Sequence, residues 1–267
     1  MRLAFLGAGK MGTAIAKGIV DAGILPTGHI RGCDISVEAR EAFTQATGGS
    51  CCVSSAGDVL DACDVLVVAV KPQSLEKMAA ELPSLPDSVL VISIAAGIPL
   101  TRLTQWFGTG RIIRAMPNTP LTVARGATVF SRGPAAGDPD AATARRLFGA
   151  LGFVEEVPEE LIDAVTATSG SGPAYVFEFI QALADAGVGV GLSPDLALAL
   201  TVQTVAGAAE MLCRGLGEPE ELRRAVTSPG GTTAAGLAVL EEAGFRDLLA
   251  RVVRAARDRS VELGRQS

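Results

Sequence analysis

The N-terminal half alternates short runs of β-branched residues and leucine with segments whose apolar residues recur at helical spacing, and few architectures satisfy that order. The runs lie at residues 3–6, 30–33, 65–70, 89–94 and 112–116. Between the first two, Met11, Ile15, Ile19 and Ala22 share one helical face, which Gly23 closes with Pro26 beyond it. Strands that are apolar throughout and separated by helices belong in a parallel sheet covered on both faces. A further strand at 127–130 and a helix around 141–151 complete the unit. The expected class is therefore α/β, with a doubly wound, mostly parallel sheet in residues 1–158.

The second half changes character. No strand-like alternation follows Glu159, and between Leu161 and Cys213 the only charges are the acids Asp163, Glu178, Asp185, Asp195 and Glu210. A surface helix normally carries mixed charge on its outer face. Helices this poor in charge are expected to be buried on most sides, and a domain of ~110 residues cannot hide that much apolar surface alone. The preferred reading is an all-α dimerisation domain, residues 159–267, covered by a second protomer; packing on the first domain alone is the alternative. Residues 245–263 regain Arg and Glu on one face and read as a partly solvated terminal helix.

Composition narrows the function. The formal charge is -6, the pI is near 5.0 and aromatics are 4%, so neither a basic surface nor stacking platforms for nucleic acid are present. The longest apolar run of note, 65–70, falls well short of the ~20 residues of a spanning helix, so no membrane segment is expected. The N-terminus begins a strand and lacks a signal-peptide layout, which reads as a soluble, cytoplasmic protein. Cys33, Cys51, Cys52, Cys63 and Cys213 are odd in number with no C-x-x-C spacing and read as reduced thiols. His29 is the only histidine, so no metal site is expected.

Gly7-Ala8-Gly9-Lys10-Met11-Gly12 fits G-x-G-x-x-G and sits between the first strand and the first helix. In that context Gly7 allows the tight turn, Gly9 lets a pyrophosphate approach the backbone, and Gly12 lets helix pack on strand. A glycine-rich turn without a ligand is the bland reading. Asp34 ends the second strand, at the place where an acid accepts hydrogen bonds from adenosine ribose hydroxyls, which favours NAD; a 2′-phosphate would need a compensating Arg, and Arg31 and Arg40 are nearest. Asp34 also reads as a helix N-cap. Ligands of doubly wound sheets lie beyond the carboxyl ends of strands. That places Ala69-Val70-Lys71-Pro72, Ala95-Ala96-Gly97 and Met116-Pro117-Asn118-Thr119 along one candidate groove for NADH or NADPH.

The last lysine is Lys77, and the helical half holds neither Lys nor His. Carbonyl reduction develops an alkoxide and needs a positioned acid. Reduction of an imine is less demanding, because its basic nitrogen takes a proton before hydride arrives, and orientation against the nicotinamide supplies most of the catalysis. Ser228-Pro229-Gly230-Gly231-Thr232-Thr233 precedes a helical pattern, and the N–H groups of Gly231, Thr232 and Thr233 form a candidate nest for a carboxylate. Ser228 and Thr233 add hydroxyls, with Thr233 the candidate donor to the ring nitrogen. Capping signals alone favour a plain Gly-Gly turn with Thr capping the helix. Ser169-Gly170-Ser171-Gly172-Pro173-Ala174-Tyr175 is a second glycine-rich element, suited to close approach of the cofactor or of a neighbouring helix.

These motifs, with Ala69 to Gln73 and Arg114 to Pro120, occur in the order found in pyrroline-5-carboxylate reductases and span about residues 3 to 263, and the chain resembles that family. The resemblance implies a Rossmann domain followed by an all-helical dimerisation domain, and reduction of L-1-pyrroline-5-carboxylate to L-proline by NADPH or NADH in proline biosynthesis. It implies substrate carboxylate on Gly231 and Thr232, nitrogen near Thr233, and homodimers assembled into larger rings, commonly decamers. Many NADPH-using members carry a neutral polar residue and then a basic one after the second strand, a pair that Cys33-Asp34-Ile35-Ser36 lacks. A β-hydroxyacid dehydrogenase would need a lysine in the helical domain, which is absent. The remaining rivals are a reductase of another cyclic imino acid and a dinucleotide-binding regulatory module without turnover.

Overall fold

The computed structural model describes residues 1–60 and 63–266, without the side chains of 51 and 266. The first part alternates strand and helix: β1 (Leu3–Leu6), α1 (Lys10–Asp21), β2 (Ile30–Cys33), α2 (Val37–Ala46), β3 (Cys51–Val53), α3 (Ala56–Val59), β4 (Val65–Val68), α4 (Pro72–Ala80), β5 (Leu90–Ser93), α5 (Leu100–Phe107), β6 (Ile112–Met116), β7 (Gly126–Arg132), α6 (Asp138–Gly149) and β8 (Gly152–Glu156). The eight strands form one sheet in the order β3-β2-β1-β4-β5-β6-β7-β8. All neighbours are parallel except β6 and β7. The expected α/β Rossmann sheet is present, with its order reversing between β1 and β4.

Strand alternation divides the core into two layers. Leu3, Phe5, Val65, Val67, Leu90 and Ile92 face Ile15 and Ile19 of α1 and Leu147 and Phe148 of α6. Ala4, Leu6, Leu66, Val68 and Val91 face Leu75 of α4 and Leu103 and Phe107 of α5. Both faces of each central strand are thus buried, the physical reason these runs lack polar alternation. Helix α1 ends as its sequence indicates: Gly23 has φ +68°, its N–H donates to Val20 O and that of Ile24 to Ile19 O.

The remainder is helical: α7 (Ile162–Val165), a π-helical stretch Thr166–Gly170, α8 (Gly172–Gly189), α9 (Pro194–Cys213), α10 (Pro219–Ala225), α11 (Thr232–Glu242) and α12 (Phe245–Gln266). By packing, the chain divides into a unit made of residues 1–171 with the end of α12 from Ala255, and a unit Gly172–Arg254. That division falls later than the boundary expected at 158/159 and assigns the end of the last helix to the first unit.

In the second unit α8 packs on α9. Phe177, Val190, Leu198 and Leu200 are exposed in the single chain, so the expected burial is not supplied within this unit. Helix α9 is, by length and composition alone, long and apolar enough to cross a membrane, which differs from the reading by run length; 11% of its most apolar 18-residue window is buried in the single chain. Its interspersed Thr201, Gln203, Thr204 and Gly207 break up any continuous apolar run, which is why run length missed it.

Candidate functional site

The glycine loop is built by crowding at two glycines and open space at the third. Gly7, at φ +97°, donates its N–H to Cys33 O (2.8 Å), and a Cβ there would lie 2.7 Å from the carbonyl carbon and oxygen of Ala69. A Cβ on Gly12 would overlap Gly7 O, so α1 starts directly against the loop. Gly9 is exposed, and nothing lies within 4 Å of where its Cβ would be. Its glycine keeps open a space just before Lys10 and Met11, where the first N–H groups of α1 have no partner within the helix. Thr13 Oγ1 pins the loop by donating to Ala8 O (2.8 Å).

At the reversal between β1 and β4, Ala69 donates its N–H to Leu6 O (2.7 Å), while Lys71 caps α4 with Pro72 in its first turn. Asp34 follows β2 on the same edge: Oδ2 accepts from Ala8 N–H (2.9 Å) and Oδ1 from Ser36 N–H (3.0 Å). The cap of α2 is Ser36, whose hydroxyl accepts from Ala39 N–H (3.1 Å), so the capping alternative for Asp34 is removed. Gly7 to Gly12, Asp34 and Ala69 to Pro72 therefore share one sheet edge at the topological switch point, where dinucleotides bind such sheets. The open Gly9 cradle fits a pyrophosphate.

Gly12→Ala is expected to force α1 away from the loop and weaken dinucleotide binding about tenfold or more, in line with ~1–3 kcal/mol for overpacking. A dinucleotide titration checks it, and unchanged affinity would remove the cradle from the argument.

Beyond β5, Gly97 (φ +78°) is buried, and its would-be Cβ lies 3.3 Å from Leu263 Cβ. Its small size serves packing against the end of α12, whereas Ala96 beside it stays half-buried. Beyond β6, Asn118 is a bracket: Oδ1 accepts from Ala127 N–H (2.8 Å) and Nδ2 donates to Ser169 O (3.1 Å). Ser169 lies in the π-helical stretch, where Gly170 is crowded by Met116, and its buried hydroxyl has no partner among the described residues.

The loop from Ser228 to Thr233 belongs to the second unit. Gly230 has φ +69°, and Gly231 donates its N–H to Ser228 O (3.0 Å) in a turn. This corrects the expected nest: the Gly231 N–H is engaged, and the first free donors are Thr232, Thr233 and Ala234, which have no i−4 partner in α11. No side chain caps α11, so Thr capping is not what this loop does. Ser228, Thr232 and Thr233 are exposed in the single chain, with Gly231 half-buried.

A buried ionic network went unrecognised in the sequence. Arg114, 5% exposed on β6, donates to Glu159 (2.9 Å) and lies 3.7 Å from Asp163. Glu159 also accepts from Leu100 N–H at the start of α5 (2.6 Å), and Asp163 from the Ser260 hydroxyl on α12 (2.7 Å). The available signal was an arginine inside an otherwise apolar strand, a position that requires buried partners.

Cys33, Cys63 and Cys213 are free thiols, and the Cys51 side chain lies outside the described residues. Burial pushes the Cys63 thiol up to about 11 and also raises Cys33, leaving both protonated at neutral pH. No group of three or more metal-binding side chains exists among the described residues.

Comparison with known proteins decides the family. Residues 159–263 match the sequence pattern described as pyrroline-5-carboxylate reductase dimerisation, and residues 2–97 that of NADP oxidoreductase, coenzyme F420-dependent. A pyrroline-5-carboxylate reductase of Pisum sativum is 46% identical, covering 98% of this chain and 95% of the relative. The chain belongs to the pyrroline-5-carboxylate reductase family. Solved structures of the family superpose throughout. That of Coxiella burnetii has a TM-score of 0.89 at 34% identity, covering 98% of each chain. That of Plasmodium falciparum, with NADP bound, has a TM-score of 0.88 at 32% identity, covering 99% of this chain and 98% of the other.

Proposed function

We propose that this chain reduces L-1-pyrroline-5-carboxylate to L-proline with NADH or NADPH, the last step of proline biosynthesis. Hydride goes to the imine carbon and a proton, relayed from solvent through the Thr233 hydroxyl, to the nitrogen, so the reduced dinucleotide ends oxidised and the C=N bond becomes a single bond. The bound dinucleotide supplies only the hydride. Gly7 to Gly12 hold its pyrophosphate, with Asp34 on its ribose and Ala69 to Pro72 and Ala96 lining the remainder, while Gly97 lets the end of α12 pack behind them.

The observation that carries the reading is the uncapped start of α11. Thr232 and Thr233 present free N–H groups to a carboxylate where no basic side chain stands in the loop. Ser228 and Gly231 shape the turn, and the exposed Thr233 hydroxyl donates to the ring nitrogen. A dinucleotide sensor without turnover has no use for this second anion site.

Purified protein should oxidise NADH or NADPH on addition of pyrroline-5-carboxylate and do so more slowly with piperideine carboxylate. Dinucleotide binding without turnover on any cyclic imino acid would favour the regulatory module.

We take residues 1–158 as the cofactor domain and 159–267 as the dimerisation and substrate domain. The apolar faces of α8 and α9, in a segment that matches a dimerisation pattern, support a homodimer through the helical domain, with the decamer as its higher form. Light scattering should give a mass no smaller than a dimer; a stable monomer would refute this assembly. The free thiols of Cys33, Cys63 and Cys213 fit a reducing cytoplasm.

A further inference from the structure

We propose that Asp34 makes this protein selective for NADH over NADPH, and that Arg40 provides the residual tolerance for a 2′-phosphate. The inference rests on the reductase reading above and narrows its cofactor.

Asp34 is held by three bonds that leave it little freedom. Its backbone N–H continues the sheet by donating to Val53 O (3.1 Å), and its two carboxylate oxygens accept from Ala8 and Ser36 N–H at 2.9 and 3.0 Å. One of these donors belongs to the glycine loop itself, so the carboxylate is fixed beside the pyrophosphate cradle. Each carboxylate oxygen has two acceptor positions, and one main-chain bond on each leaves one free. Two free acceptors match the two hydroxyls of an adenosine ribose. A 2′-phosphate removes one of those donors and sets negative charge against a carboxylate that cannot turn away.

A compensating cation must lie on the same edge, and the structure separates the two candidates. Arg31 lines a cavity of about 260 Å³ with Arg2, His29 and Cys63. Those three residues precede β1, β2 and β4, so Arg31 serves the amino end of the strands, away from the ligand edge. Arg40, in the first turns of α2, donates from Nη1 to Asp34 O (2.8 Å) and Ile35 O (3.1 Å). It is the basic side chain attached to this turn. Because it holds carbonyls and not a carboxylate, its charge moderates the repulsion without cancelling Asp34.

The test uses the full chain and reads binding before activity. Dissociation constants are measured for NADH and NADPH, and for ADP-ribose and 2′-phospho-ADP-ribose, which isolate the adenosine end from hydride chemistry. The wild type should favour the unphosphorylated ligand of each pair by about tenfold or more. Asp34→Ser and Asp34→Asn should lower that ratio at least about tenfold. Arg40→Ala should weaken the phosphorylated ligands more than the unphosphorylated ones, moving the ratio of each pair further toward the unphosphorylated ligand. Thermal unfolding identifies a variant that fails to fold, and the wild-type ratio then decides alone. Equal or tighter wild-type binding of the phosphorylated ligands overturns the inference, as does an unchanged ratio in folded Asp34 variants or a uniform loss in Arg40→Ala. If the protein turns over the imino acid but prefers NADPH, only this inference fails; if it binds no dinucleotide, the reductase reading fails with it.

Discussion

Arg114→Met is expected to destabilise the protein by about 3 kcal/mol, the low end of the range for breaking a buried ion pair. The Arg114 side chain is 6% exposed, so its removal leaves Glu159 and Asp163 facing a site from which water is largely excluded. The two acid side chains keep 30% and 29% of their surface in water, which limits the penalty. For a chain of this size the loss corresponds to a fall in Tm of roughly 6–12 °C. Adding Glu159→Gln and Asp163→Asn should recover part of it, because the uncompensated charges are then gone. Thermal unfolding of single and triple variants decides the matter; a shift below about 2 °C for Arg114→Met would mean that the network carries little stability.

Thr233→Ala is expected to lower kcat about 100-fold, the modest end for a group assisting proton transfer. The structure makes this variant informative. Thr233 is exposed, lies on a helix whose start no side chain caps, and forms no side-chain cap bond among the described residues, so stability should move by no more than about 0.5 kcal/mol. Dinucleotide affinity should stay within about twofold, and Thr233→Ser should restore most of the rate because the hydroxyl returns. A Thr233→Ala enzyme with wild-type kcat would remove the assigned donor; a joint loss of kcat and dinucleotide affinity would point to a disturbed loop instead.

Much of the first unit was legible in the sequence because both faces of its strands are buried. Runs such as Val65-Leu66-Val67-Val68 carry no competing signal, and Gly23 marks a helix end that only a positive φ satisfies. The strands that escaped recognition lie at the two edges of the sheet. β3 is three residues long, and β8 carries Glu155 and Glu156 and lacks the apolar continuity of a central strand. For the site, the glycine spacing identified the loop, but not which glycine is crowded and which faces open space. Asp34 read equally as ribose acceptor and helix cap, because both roles need an acid at a strand end; only the Ser36 hydroxyl at Ala39 N–H separates them. Arg114 was hidden for the converse reason, since its partners Glu159 and Asp163 are distant in sequence and no local periodicity links them.

The return of α12 to the first unit has a consequence for synthesis on the ribosome. Residues 172–254 are interposed within a body whose closing contacts, Leu263 on Gly97 and Ser260 on Asp163, come from the far end of the message. The sheet has its strands early, yet these two seams stay open until the helical insertion has been translated. A nascent chain paused inside that insertion therefore exposes the loop at Gly97 and the Asp163 carboxylate together with bare apolar helices, and this is the window in which chaperone capture would matter most.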